Sequence, residues 1–195
     1  MNTTQLPTRT LTGWGRTGKW LCLEHWGVVP DVVSIGKGFG NGFPVTCVAV
    51  REPYKESFEK ISASSSYGGN PMACAAALAS TEVIQEENLL DYCLALGDHC
   101  TKILNEMKDR HPIIGDVRCK GALMGIELVK DRQTKEPFTK AGEFVYQHAF
   151  RNGLAWIPAG HILRMSPPIV MDFDTAAKGL EIIEEAIGAA EKALM

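Results

Sequence analysis

The sequence predicts an α/β chain in two parts, on three observations. Two short apolar runs, residues 32–35 and 45–50, follow Pro30-Asp31 and Pro44, the punctuation expected of strands. An alanine-rich stretch over residues 72–85 and a longer one over residues 89–109 carry helical spacing. Beyond Pro112 the pattern changes to short strands interleaved with two helices, which makes the second half α+β.

Each element has its own signal. Residues 1–11 have no hydrophobic period and read as an irregular tail. Gly13, Gly15 and Gly18 space a packed loop around Arg16 and Lys19, and Leu21, Leu23 and Trp26 give an apolar face before Gly27. Residues 53–60 suit a short helix, and residues 62–69 a polar loop. Asn70 then caps a helix whose first position is Pro71, since the missing proline N–H costs nothing there. In the next helix Leu90, Leu94, Gly97, Thr101, Leu104 and Lys108 share a face that Cys93, Cys100 and Met107 widen. The second half reads as strands at 117–119, 123–129, 154–157 and 162–165, with helices at 140–151 and 175–194. The last helix aligns Ala176, Leu180, Ile183, Ile187, Ala190 and Leu194 behind an Asp174 cap.

Composition excludes several classes of function. A chain of 195 residues supports one good core or two small ones, and a net charge of −3 with mixed signs offers no basic stripe for nucleic acid. No apolar run approaches the roughly 20 residues of a membrane span, and the polar start lacks a signal-peptide core, so the reading is a cytoplasmic protein with no membrane partner. The six cysteines form no CxxC pair and read as reduced core thiols. The five histidines show no ligand spacing, so no metal site is expected.

The chemistry concentrates at Ser34-Ile35-Gly36-Lys37-Gly38-Phe39-Gly40-Asn41-Gly42, where one lysine stands among four glycines directly after an apolar run. Glycine admits positive φ and close approach of another molecule, so this string presents an amine in a confined place, suited to a Schiff base. A tight turn is the structural alternative. The order G-x-x-x-x-G-K-[ST] of a phosphate loop is absent. Arg164 interrupts an otherwise apolar strand and reads as a buried guanidinium, which needs an anion. That anion is either a substrate carboxylate or an internal partner, with Glu127 and Asp172 as candidates.

Five ordered motifs resemble the class III pyridoxal-phosphate aminotransferases, the group of ornithine, 4-aminobutyrate and ω-amino-acid aminotransferases. They are TGWGRTGKW from Thr12, EHWGVVPDVVSIGKG from Glu24, SSYGGNPMACAAALA from Ser65, VRCKGALMGIELV from Val117 and LRMSPP from Leu163. The resemblance covers residues 11–195 and implies a truncated fold-type I pyridoxal-phosphate-dependent transferase. Residues 1–88 would be the end of the large cofactor-binding domain, with 1–11 its irregular tail. Residues 89–195 would be the complete α+β small domain, linking helix included.

By the same resemblance, Lys37 would form the Schiff base with pyridoxal 5′-phosphate and serve as acid-base catalyst. Ser66 would reach the cofactor phosphate of a neighbouring subunit in a homodimer or higher homo-oligomer. A hydroxyl in a glycine-ended loop at a helix start has the chemistry for this, although Ser64 and Ser65 could stand in register, or the serines could merely cap the helix. Arg164 would bind the substrate carboxylate. The implied reaction moves an amino group from an amino acid or amine to an α-keto acid. The alternatives are decarboxylation or racemisation on the same framework, or a non-catalytic oligomerising fragment. One departure bears on activity: Thr8, Arg9, Thr10 and Leu11 stand where the family has Asp-Glu-Val-x, so Thr8 replaces the aspartate that keeps the cofactor's ring nitrogen protonated.

Overall fold

The computed structural model describes residues 12–60 and 65–195, the side chains of residues 58 and 59 excepted. The expectations for the tail, for Thr8 and for Ser64 lie outside the described residues. The chain divides into two compact units, Met1–Asp91 and Tyr92–Met195.

In the first unit, β1 (Val32–Ile35) pairs antiparallel with β2 (Cys47–Val50), Val32 opposite Val50 and Ile35 opposite Cys47. β2 begins two residues later than its apolar run because Val45 is held in a turn, its N–H donating to the Phe43 carbonyl at 2.9 Å. That turn folds back over Gly40, where a Cβ would lie 2.3 Å from the Phe43 oxygen and 2.4 Å from Val45 Cγ1, so no side chain fits. Helix α1 (Pro71–Glu86) starts as its sequence predicts: the Asn70 side-chain oxygen accepts from the N–H groups of Met72 (2.9 Å) and Ala73 (3.3 Å), with proline in the first turn.

The second unit holds the main core. Helix α2 (Leu89–Arg110) leads into a three-stranded antiparallel sheet in the order β3 (Ile114–Lys120), β4 (Leu123–Leu128), β5 (Ile162–Met165). Helices α3 (Thr139–Arg151) and α4 (Phe173–Leu194) complete it. Leu96, Leu104 and Met107 of α2 are fully buried, as are Ile126 and Leu128 of β4, Val145 of α3, and Ile183 and Ile187 of α4. The period-2 pattern of β4 and the 3.6-period stripes of the helices thus meet in one apolar interior. Gly142 of α3 is required by a close approach, since a Cβ there would lie 2.0 Å from the Gly160 carbonyl oxygen. Among the described residues no helix is long and apolar enough to cross a membrane.

Two expectations are corrected. Residues 154–157 form no strand. Leu154 and Trp156 pack against the core while Ala155 and Ile157 face outward, so the alternation is that of an extended segment. The segment nevertheless makes no ladder, its first N–H turning back to the Ala149 carbonyl at 3.0 Å. The cap of α4 is Asp172 in place of Asp174: its carboxylate accepts from the Thr175 N–H at 2.7 Å and from the Thr175 hydroxyl at 2.8 Å. Asp174 falls inside the first turn, where its charge still favours the helix N-terminus.

The C-terminal end of α2 is tied to α4 by charge. The Glu184 carboxylate accepts from Arg110 Nε at 2.7 Å and lies 3.3 Å from His111 Nε2, while His111 Nδ1 is 2.8 Å from Glu191. The hydrogen bond from Arg110 is the largest influence holding the Glu184 carboxyl below its ordinary range. A depressed carboxylate pKa means that the unfolded chain binds more protons at acidic pH. The stabilisation is therefore complete above the unfolded value of about 4.3 and is lost as pH falls through the lower folded value. Urea midpoints of the second unit measured between neutral and acidic pH are expected to fall through this window, and to fall less in Glu184→Gln.

Candidate functional site

Lys37 opens a single 3-10 turn, Lys37–Phe39, immediately beyond β1. Its backbone is left-handed (φ 53°), a region that a side-chain-bearing residue seldom occupies. The side chain is exposed, and among the described residues its amine makes no hydrogen bond or ion pair. The turn beneath it is firmly held. Trp14, itself left-handed at φ 52°, packs edge-on against Phe39 with ring centroids 4.5 Å apart and against Trp20 at 5.6 Å. The Trp14 indole N–H donates to the Thr81 hydroxyl of α1 at 3.1 Å, and Thr81 donates to the Ala77 carbonyl at 2.7 Å. The Ser80 hydroxyl reaches the Gly38 carbonyl at 3.4 Å.

The loop expected around Arg16 and Lys19 is thus the wall against which the lysine turn is built. It closes on itself through the Trp14 N–H to Trp20 carbonyl bond (2.7 Å). His25 holds it from behind, its Nε2 lying 2.8 Å from the carbonyl oxygen of Thr17, a residue with no solvent exposure. Sequence reasoning missed Trp14, Ser80 and Thr81. Their only local signals are an aromatic bracketed by Gly13 and Gly15 and two hydroxyls in an alanine-rich helix.

Ser66 is exposed in the turn before α1, where the Gly68 N–H donates to the Ser65 carbonyl at 3.1 Å. Asn70 caps α1, which leaves the Ser66 hydroxyl without that task. No hydrogen bond joins Ser66 to Lys37 among the described residues.

Arg164 belongs to the second unit and corrects an expectation. It is exposed, because the alternation along β5 buries Leu163 and Met165 on one face and sends Arg164 to the other. The internal partners considered for it are engaged elsewhere: Glu127 lies 2.8 Å from Arg118, and Asp172 caps α4. Among the described residues no carboxylate pairs with Arg164. It lines a cavity of about 430 Å³ walled largely by apolar side chains. Among the described residues the Lys37 amine and the Ser66 hydroxyl of the first unit, and the Arg164 guanidinium of the second, are each without a hydrogen-bond or ion-pair partner.

Residues 10–187 match a family model described as aminotransferase class III. The chain is 39% identical over 183 residues to a leucine/methionine racemase of Thermococcus litoralis, covering 93% of this chain and 41% of that protein. It is 38% identical over 177 residues to the 5-aminovalerate aminotransferase DavT of Pseudomonas putida, covering 89% of this chain and 41% of that one. A structure of taurine:2-oxoglutarate aminotransferase from Bifidobacterium kashiwanohense, in complex with pyridoxal phosphate and glutamate, shares the fold with a TM-score of 0.91 at 20% identity. That likeness covers 97% of this chain and 45% of that one. The chain spans less than half the length of these proteins.

Proposed function

This chain belongs to the class III aminotransferase family, whose cofactor is pyridoxal 5′-phosphate, and on that premise we propose that it carries the cofactor lysine of an enzyme transferring an amino group from an amino acid or amine to an α-keto acid. One observation carries the reading: the unengaged Lys37 amine on a left-handed turn clamped by Trp14 and α1. Lys37 Nζ would hold the cofactor's aldehyde carbon, the Ser66 hydroxyl a phosphate oxygen of the cofactor on a partner subunit, and Arg164 the substrate carboxylate. When bound, the cofactor supplies an electron sink for the carbanion left when the substrate carbon loses its proton. The Lys37 amine would take that proton and deliver it. The backbone turn that carries Lys37 is already held by Trp14 and α1, which supports this reading.

Two surface features support assembly with a second copy. Tyr67 beside Ser66 is 84% exposed, and α1 leaves Met72 and Leu78 exposed at 69% and 60%. An apolar strip of that kind is what a partner subunit covers. Affinity for the cofactor is expected to be weak in this chain alone, because Thr8 is neutral where a charged ring-nitrogen partner is called for.

Racemisation is the second reading, favoured by the 39% identity to a leucine/methionine racemase. It would use the same Lys37 amine on one face of the substrate carbon, with a proton donor on the opposite face to complete the inversion. Chiral product analysis separates the two. A longer protein containing this chain, supplied with pyridoxal phosphate, L-alanine and 2-oxoglutarate, is expected to form glutamate and pyruvate, while the 195-residue chain alone is expected to form little or none. D-alanine appearing without any keto acid would establish the racemase reading, and no product at all would favour a non-catalytic fragment.

A further inference from the structure

The outward face of the three-stranded sheet sets two arginines astride a glycine. Gly125 of β4 pairs with Arg118 on β3 and with Arg164 on β5, and all three lie on the face opposite the buried Ile126. A Cβ at Gly125 would meet nothing closer than Ile162 Cγ2 at 3.9 Å, so the space between the two arginines is open. Glu127, two residues along β4 on the same face, stands diagonal to both arginines in the same sense. One of them holds it. Arg118 Nη1 donates to Glu127 Oε2 at 2.8 Å and to Asp116 Oδ2 at 3.0 Å, while Arg164 has no carboxylate among the described residues. The other Glu127 oxygen lies 3.9 Å from His161 Nε2, beyond hydrogen-bond length. The Glu127 side chain is only 21% exposed. A sheltered carboxylate deprived of its cation turns to the next one in reach, because a lone charge costs more there than a change of rotamer. The diagonal neighbour on the other side is Arg164.

We propose that Arg118 is a positioning residue for Arg164: it holds the Glu127 carboxylate on the β3 side of Gly125 and so keeps the guanidinium of β5 free for a ligand. The proposal rests on the reading of Arg164 as the residue for the substrate carboxylate and adds what keeps that residue available. Asp116, itself 3.6 Å from Lys108, anchors Arg118 from its own strand, so the guanidinium stays over β3 and draws Glu127 towards it. Without Arg118, Glu127 would compete for Arg164 from within the same sheet. An intramolecular competitor acts at an effective concentration that a free substrate has to overcome.

The pairing is read in the 195-residue chain, without cofactor or substrate, from the ¹⁵N resonances of the arginine side chains, since rotation about the guanidinium Cζ–Nε bond slows when a carboxylate grips the group. In the unaltered chain slow rotation is expected at Arg118 and fast rotation at Arg164, and the reverse overturns the proposal with no variant needed. Arg118 is exposed, so Arg118→Gln leaves the apolar core untouched. In that variant rotation at Arg164 is expected to slow, and adding Glu127→Gln should free it again. Arg118→Lys keeps a cation beside Glu127 and is expected to leave Arg164 free. Unchanged rotation at Arg164 in Arg118→Gln overturns the proposal. The consequence is read in a longer protein containing this chain. There Arg118→Gln is expected to raise KM for an amino-acid substrate at least about tenfold with little change in kcat, and to spare an amine that lacks a carboxylate. Adding Glu127→Gln should restore the lower KM. Loss for both kinds of substrate, with no rescue by the second substitution, marks Arg118 as merely structural and overturns the proposal. The two readings fail separately. If Arg164→Gln harms both kinds of substrate alike, the carboxylate reading of Arg164 is rejected whatever the spectra show. If Arg164→Gln harms the carboxylate substrate alone while Arg118→Gln harms neither, the positioning role alone is rejected.

Discussion

Hydrogen exchange of the 195-residue chain is expected to divide the described backbone into two classes, with the best-protected amides of the second unit at least about a thousandfold slower than those of β1 and β2. The difference follows from what each unit buries. The second unit's interior draws on three helices and three strands, with Leu96, Leu104, Ile126, Val145, Ile183 and Ile187 all essentially without solvent exposure. Its core amides exchange only when most of that packing is lost. In the first unit a two-stranded sheet stands by itself, with Val48 of β2 54% exposed and few large side chains buried beyond Leu23, Val33, Ile35 and Ile84. An isolated hairpin of this kind is marginal in water. A thousandfold ratio corresponds to about 4 kcal/mol between local and near-global opening, well inside the stability of an ordinary domain. Equal protection of Val33 and Ile126 amides would contradict this account of where the packing energy lies.

The largest single-residue loss of stability outside the apolar core is expected at Arg132. Its guanidinium gathers the carbonyl oxygens that the end of α2 and the turn beyond it leave without helical partners. Nε donates to Pro112 and Ile114, each at 3.1 Å, and one terminal nitrogen donates to His111 at 2.9 Å and to Lys108. The planar fork reaches several acceptors at once, which a lysine ammonium on a flexible stem does not do in the same geometry. Arg132→Ala is expected to destabilise the second unit by about 1.5–3 kcal/mol, the range for hydrogen bonds to a charged group. With a urea slope of roughly 1–3 kcal/mol per molar, the midpoint should fall by about 1 M. Arg132→Lys should recover only part of that loss, and an unchanged midpoint in Arg132→Ala would mean that water replaces the guanidinium without cost.

The features legible in the sequence are those whose cause is local. Asn70 and Pro71 announce α1 because a side-chain acceptor and a missing N–H act within one turn. The glycines around Lys37 announce a tight place because Gly40 has no room for a Cβ. The family was legible through motif order, and the match over residues 10–187 establishes it. Other features depend on residues far along the chain and left no local trace. Residues 154–157 alternate as a strand does, yet alternation says which side is buried and not whether a neighbouring strand is there to bond. An arginine between two apolar residues of β5 read as buried, when the same alternation turned it outward. Asp172 and Asp174 are equally plausible caps by type, and the geometry of Thr175 selects the first. The Trp14–Thr81 hydrogen bond joins residues 67 apart, and Arg132 reaches back 18 to 24 residues, distances over which spacing rules are silent.

The central claim is that Lys37 is the residue that joins this chain to its cofactor. Borohydride reduction in the presence of pyridoxal phosphate, followed by peptide mapping, tests it even where reversible binding is weak, because reduction traps the carbon–nitrogen bond as it forms. The account predicts a single dominant pyridoxyl adduct on Lys37 Nζ, its loss in Lys37→Ala, and no compensating adduct elsewhere in that variant. A dominant adduct on Lys19 or Lys120 with Lys37 unmodified would contradict it.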